Sequence, residues 1–174
     1  YIAVGSYDGK IYFFGKDSGT PLWNYTTGHF VRSVDISADG EYIVAGGNDD
    51  KVYLFDKDSS TPLWSYETGG NVRSVAISTD GGYIAAGSND DKVYLFDKDS
   101  STPIWNYDAD YPVSAIAISA DGKYISAGTS GGTQGYGDNI YAFENTALTS
   151  VSQEQQVDIS PGTPVTLNTW EEAS

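Results

Sequence analysis

The stretch Asp56-Lys57-Asp58-Ser59-Ser60, inside DKDSSTPLW (56–64), places two carboxylates and two hydroxyls close together, the oxygen donors that a hard cation prefers. The phrase returns as DKDSSTPIW at 97–105 and, varied, as GKDSGTPLW at 15–23. A calcium loop also needs a central glycine and a distant bidentate glutamate, and the phrase has neither. Its Asp and Ser side chains instead suit hydrogen bonds to their own backbone, which make a turn. The expectation is a structural turn followed by a core tryptophan, with Trp23, Trp64 and Trp105 packing between neighbouring units.

Other chemistry fares no better. His29 is the sole histidine and has no nucleophile beside it in a recognisable motif. With one His and no Cys, a zinc cluster of those ligands cannot be built. SGGTQGYG (130–137) is glycine-rich but lacks the Lys-Ser/Thr of a phosphate loop. The carboxylate pairs Asp49-Asp50 and Asp90-Asp91 stand at strand ends and read as a solvated acidic rim. The sequence therefore predicts a chain that is not an enzyme and holds no metal or cofactor.

The elements around these residues repeat. Tyr1, Tyr42, Tyr83 and Tyr124 are each 41 residues apart, as are Trp23, Trp64 and Trp105, and the Asp-Gly pairs at Asp39, Asp80 and Asp121. Each unit carries four short β-like runs separated by turn residues; the best preserved are VRSVAIS (72–78), YIAAGS (83–88), KVYLFD (92–97) and PIWNYD (103–108). Asp80-Gly81 marks a hairpin turn, because both residues tolerate positive φ. Four strands in about 40 residues is the period of a propeller blade.

The side-chain pattern agrees. KVYLFD is apolar on both faces, Val93 and Leu95 on one side and Tyr94 and Phe96 on the other, as a strand sandwiched between sheets requires. VRSVAIS and YIAAGS, rich in Ser, Ala and Gly, suit the crowded region near a propeller axis. PLWSYE (62–67) alternates and begins with Pro62, as an outer strand does. The expected fold is all-β, a β-propeller of four-stranded antiparallel blades covering 1–27 (partial), 31–68, 72–109 and 113–145.

VRSVDISADGEYIVAGGNDDKVYLFD (31–56) resembles a WD40-type repeat, with Phe55-Asp56 where that family prefers Trp-Asp. Gly28-His29 resembles its Gly-His dipeptide, but the other units lack the histidine, so the His-centred network of that family is not available. LFDKDSSTPLW (54–64) is similar to the tryptophan-docking segment of PQQ-like, quinoprotein-type propellers, with Asp56 and Trp64 in the places of its Asp and Trp. The resemblance spans residues 1 to 145. It implies fold more strongly than function, since such propellers serve unrelated ends. A quinoprotein enzyme would, by the same resemblance, use eight blades, a calcium and an axial cofactor pocket; that constellation is not visible here.

The chain has 174 residues and a formal charge of −15, from 24 acidic against 9 basic residues. Such a surface repels phosphate backbones and anionic lipid, so neither nucleic acid nor a membrane surface is an expected partner. No apolar run reaches the length of a membrane helix. The acidic, Cys-free composition, together with a glycosylation sequon at Asn24-Tyr25-Thr26, suits an extracellular or envelope setting.

Two places break the repeat. Tyr124 to Tyr141 spans 17 residues where Tyr42 to Tyr53 spans 11, so six extra residues lie between the second and third strands of the fourth unit. Beyond residue 145, Ser152 stands where a fourth docking tryptophan is due, and VDISPGTPVTLNT (157–169) echoes VDISADGEYIVAG (34–46). The first unit lacks its innermost strand, leaving an open edge at Tyr1–Ser6. Residues 155–160 are candidates to fill it and close a ring; failing that, a second copy of the chain could pair there, or the tail could be a linker toward a following domain.

The function expected from these features is a binding or scaffold module whose partner is a protein or a glycan. Its face would carry the second-to-third and fourth-to-first strand loops, which antiparallel geometry brings to one side. The candidate residues are His29, Asn48, Asp49, Asp50, Asn89, Asp90, Asp91, Tyr111 and, in the insertion, Gly131, Gly132, Gln134 and Tyr136. The rival expectations are a quinoprotein-like redox fragment and a structural module that assembles into a larger propeller or array.

Overall fold

The computed structural model describes residues 1–131 and 139–145, and the backbone of 155–157. The described residues are all-β. Blade 1 has three strands, β1 (Ile2–Gly5), β2 (Lys10–Phe14) and β3 (Trp23–Thr26). Blade 2 has β4 (Val31–Ile36), β5 (Tyr42–Gly47), β6 (Lys51–Asp56) and β7 (Trp64–Glu67), and blade 3 repeats it with β8 (Val72–Ile77), β9 (Tyr83–Ser88), β10 (Lys92–Asp97) and β11 (Trp105–Asp108). Blade 4 comprises β12 (Val113–Ile118), β13 (Tyr124–Thr129), β14 (Ile140–Glu144) and β15 (Gln155–Val157). In every sheet the strands pair antiparallel in chain order.

Local chemistry accounts for the hairpins. Gly40, Gly81 and Gly122 adopt φ of 76, 74 and 70°, which the Asp-Gly turn demands. The preceding aspartates hold these turns: Asp80 Oδ1 accepts from Gly82 N at 2.9 Å and from Ser78 Oγ at 2.7 Å. The recurring DKDSS phrase is likewise a turn. Asp56 Oδ1 accepts from Asp58 N at 2.8 Å and Ser59 Oγ from Thr61 N at 3.0 Å, a geometry repeated at Asp97 and Ser100.

The core lies between blades. Val52, Tyr53, Leu54 and Phe55 of β6 are all buried, so this strand has apolar neighbours on both faces. One cluster joins Ile11 and Phe13 of blade 1 to Val31, Ile43 and Phe55 of blade 2. A second joins Val44, Val52 and Leu54 to Val72, Ile84 and Phe96, and a third joins Val93 and Leu95 to Val113, Ile125 and Phe143. The tryptophans span the same junctions. Trp23 lies between Phe13 and Phe55, at centroid distances of 5.0 and 5.4 Å, and its Nε1 donates to Lys57 O of the next blade at 2.7 Å. Trp64 does the same to Lys98 O. The turn phrase thus serves to aim a carbonyl at the preceding blade's indole.

The tail departs from expectation. Gln155–Val157 do not reach the open edge of β1; they pair with β14 as the outermost strand of blade 4. Gln155 stands opposite Ala142 as Trp64 stands opposite Leu54, and Val157 opposite Ile140 as Tyr66 opposite Val52. Val157, where the VDIS echo begins, thus takes an outer-strand position and not an inner-strand one. Residues 158–160 lie outside the described ones. Among the described residues β1 is the edge of a three-stranded sheet, and the described blades do not close into a ring.

Candidate protein-binding face

The second-to-third and fourth-to-first loops meet, and in each blade a hydrogen bond that extends the pairing of its first two strands holds them together. Asn48 N donates to Phe30 O at 2.9 Å, Asn89 N to Asn71 O at 2.9 Å, and Ser130 N to Pro112 O at 3.0 Å. His29, Asn48, Asn89 and Tyr111 all stand in these loops, with Gly131 at the start of the insertion. Gly132, Gln134 and Tyr136 lie outside the described residues.

The paired aspartates have architectural work. Asp49 Oδ2 accepts from Gly28 N of the preceding blade at 2.9 Å and from Tyr53 OH at 2.7 Å. Asp90 Oδ2 accepts from Gly69 N and from Tyr94 OH, both at 2.6 Å. Burial first, and these carboxylates second, push the phenols of Tyr53 and Tyr94 well above the ordinary value near 10. In blade 1 the aspartate is Asp8, which accepts from Tyr12 OH at 2.6 Å and is held below its ordinary value chiefly by that bond. The second residue of each pair makes the turn. Asp50 and Asp91 take φ of 64 and 69°, and Gly9 takes 80° at the equivalent place. The expectation of a freely solvated rim is therefore corrected: one Asp of each pair ties two blades together and the other bends the chain.

Asn48 and Asn89 are occupied too. Arg32 Nε donates to Asn48 Oδ1 at 2.6 Å, and Arg73 makes the same bond to Asn89.

Exposed on this face among the described residues, beside Tyr111, is a cluster on blade 1 that sequence reasoning did not single out, apart from His29. Tyr7, 65% exposed, stacks on the exposed Phe30 with centroids 5.0 Å apart and an interplanar angle of 20°. The imidazole of His29 meets Phe30 edge-on at 4.4 Å, and its Nδ1 accepts from Phe30 N at 2.8 Å. The Arg32 guanidinium sits 5.9 Å from the Tyr7 ring centre. A shallow groove of about 150 Å³ runs among Tyr7, Asp8, Thr27, His29 and Phe30. The signal was present in the repeat: position 7 recurs as Asn48 and Asn89, and position 30 as Asn71 and Pro112, so blade 1 alone has aromatic residues at both. Asn24, in the sequon, is exposed on the outermost strand β3, away from this cluster in the sheet order.

No helix long and apolar enough to cross a membrane occurs among the described residues. A search of curated proteins found no match. Residues 1–108 match the family model described as outer membrane protein assembly factor BamB, a PQQ-like repeat family. With four antiparallel sheets of one recurring pattern and that match over more than half its length, the chain belongs to the BamB-type family of PQQ-like β-propeller repeats.

Proposed function

We propose that the chain is a non-enzymatic scaffold that binds protein partners at a cell envelope, through the loop face of blade 1. The observation that carries this reading is the exposed Tyr7–Phe30 stack capped by Arg32. Aromatic and arginine side chains dominate the binding energy of protein interfaces, and a stack that is already formed loses little rotamer freedom on binding. Monomer surfaces seldom spend two adjacent large aromatics on solvent. The net charge of −15 favours a partner whose rim is basic. The family description, an outer membrane protein assembly factor, supports a setting in the envelope and work among other proteins.

The test is a photo-crosslinking residue at position 7, with position 24 on the outer strand as control. A discrete crosslinked protein band at position 7, lost in the Phe30→Ala and Arg32→Ala variants and absent from position 24, is the expected result. Equal crosslinking at both positions, or none, overturns the assignment. A redox reading predicts visible cofactor absorbance and dye reduction by the purified protein; we expect neither.

A further inference from the structure

The chain has only two arginines, Arg32 and Arg73, and they stand 41 residues apart at the same place in blades 2 and 3. Each is the second residue of its blade's innermost strand, β4 or β8, and each is exposed. Blades 2 and 3 both pack against a blade on either side, so the two arginines lie within the run of blades and not at its margins. Their strands are in contact: Ser33 Oγ accepts from Val75 N at 3.1 Å and Asp35 Oδ2 from Ile77 N at 3.0 Å.

The chain carries 24 acidic residues, and every ion pair among the described residues is made by a lysine. Neither arginine joins one. Arg32 Nε donates to Asn48 Oδ1 at 2.6 Å, and Arg73 Nε makes the same bond to Asn89 Oδ1. The carboxylates next in sequence are already taken, Asp49 by Gly28 and Tyr53, Asp90 by Gly69 and Tyr94. A neutral amide at Nε orients the planar fork and leaves its two Nη groups, an edge that grips a carboxylate in a bidentate pair, uncommitted.

The arginine–asparagine bond is not needed to close the loop. Blade 4 has Ser114 and Ser130 at the two positions, and it keeps the backbone bond from Ser130 N to Pro112 O that blades 2 and 3 make at Asn48 and Asn89. Ordering a long exposed side chain costs rotamer entropy, and here the fold closes without it.

We propose that Arg32 and Arg73 together form a carboxylate-reading site at the inner rim of the loop face, entered by two acidic side chains close together on an extended segment of the protein partner. Charge selects this occupant. The net charge of −15 repels a diffusely acidic stranger, so only a partner that sets its carboxylates on both guanidinium groups offsets that repulsion. Because Arg32 also lies 5.9 Å from the Tyr7 ring centre, the site is continuous with the aromatic cluster of blade 1. The inference rests on the protein-binding reading above and adds to it the chemistry of the partner's contact.

Two arginines give two side-chain Nε–H signals in the isotopically labelled chain, so each is followed separately by magnetic resonance. The probe is a blocked pentapeptide of alternating glycine and glutamate, which puts both carboxylates on one side of an extended chain. Saturable shifts of both signals are expected, weakening as salt is added. The same peptide with glutamine for glutamate should shift neither. Arg73→Lys keeps the charge but loses the fork, and Asn89→Asp sets a carboxylate against Arg73; each should weaken binding about tenfold while melting as the parent does. A response that does not saturate, an equal response to the glutamine peptide, or full affinity in both variants overturns the proposal. Inorganic phosphate or sulfate acting at lower concentration than the glutamate peptide would make this a site for tetrahedral oxyanions and overturn it too. Phe30→Ala, which should abolish the crosslink at position 7, should leave the Arg73 response intact, so failure here and failure of the loop-face reading are distinguishable.

Discussion

Trp64 Nε1 donates a 2.7 Å hydrogen bond to the carbonyl of Lys98, a residue of the following blade, and the same bond joins Trp23 to Lys57. The indole therefore does two jobs: it fills the junction beside Phe96 and fixes how far one sheet is rotated on the next. Trp64→Ala should cost about 3–5 kcal/mol, as for other large core aromatics. Trp64→Phe should recover most of that and remain short by about 1 kcal/mol, the net worth of one hydrogen bond. Denaturant unfolding of the three proteins checks both numbers, and a neutral alanine variant would remove the tryptophan from the fold's support.

Gly87 lies against Val113 of the next blade, whereas a Cβ added at Gly128 would meet, among the described residues, only Ala115 of its own blade, at 3.8 Å. Gly87→Ala forces a methyl against Val113 and should destabilise by about 1–3 kcal/mol, the usual range for overpacking. Gly128→Ala should lie within about 0.5 kcal/mol of the parent, as surface substitutions do. Thermal melts of the pair measure the difference; equal effects would mean that the valine contact is not what distinguishes the two positions.

Alkaline titration reports on the cross-blade carboxylates. The phenols of Tyr53 and Tyr94 are raised by burial and by Asp49 and Asp90, so both stay neutral in the fold. A raised pKa contributes stability below the unfolded value near 10 and loses it as pH rises toward the folded value. Stability should therefore fall above about pH 10. Ultraviolet titration should show these two tyrosines ionising only with unfolding, and smooth ionisation of all tyrosines in a still-folded chain would contradict it.

Acid acts on the hairpin turns. Asp80 is held below the ordinary value of 3.8 by Gly82 N and then Ser78, and Asp39 and Asp121 by their serines first and backbone N–H second. A lowered pKa contributes stability above 3.8 and loses it as pH falls through the folded value. Acidification from neutrality first relieves the repulsion of a −15 chain, so the melting temperature should rise toward about pH 4 and then drop steeply. A melting temperature that keeps rising to about pH 2.5 would show that these turns carry no such linkage.

Deleting residues 150–174 removes β15 and leaves β14 as an open edge. The truncated chain should melt lower and associate at micromolar concentration, since open edges recruit strands. Sedimentation together with a thermal melt decides this; a monomer of unchanged melting temperature would leave β15 without a stabilising role.

Much of this protein was determined locally and could be read from the residues. The 41-residue period, the Asp-Gly hairpins, the DKDSS turn and the two-faced burial of KVYLFD are properties of a few neighbouring side chains and the strand's period of two. The place of the tryptophans followed, because an alternating outer strand with one large aromatic face has to bury it. Only the tertiary structure decided which groups meet across blades. Asp49 lies 21 residues from Gly28 in the chain, and nothing in the local pattern tells a solvated aspartate from one that accepts another blade's N–H. The Tyr7–Phe30 stack joins two different loops, so its exposure depends on how blade 2 sits on blade 1. The tail's partner was decided in three dimensions: Gln155–Val157 pair with the outer edge of β14 in their own blade, and a nearby edge outcompetes a sequence echo of a distant one. The close approach of Val31, Val72 and Val113 to Gly5, Gly46 and Gly87 exists only because sheets stack closely enough for a valine to need the space a side chain would fill, and that distance is written in no single strand.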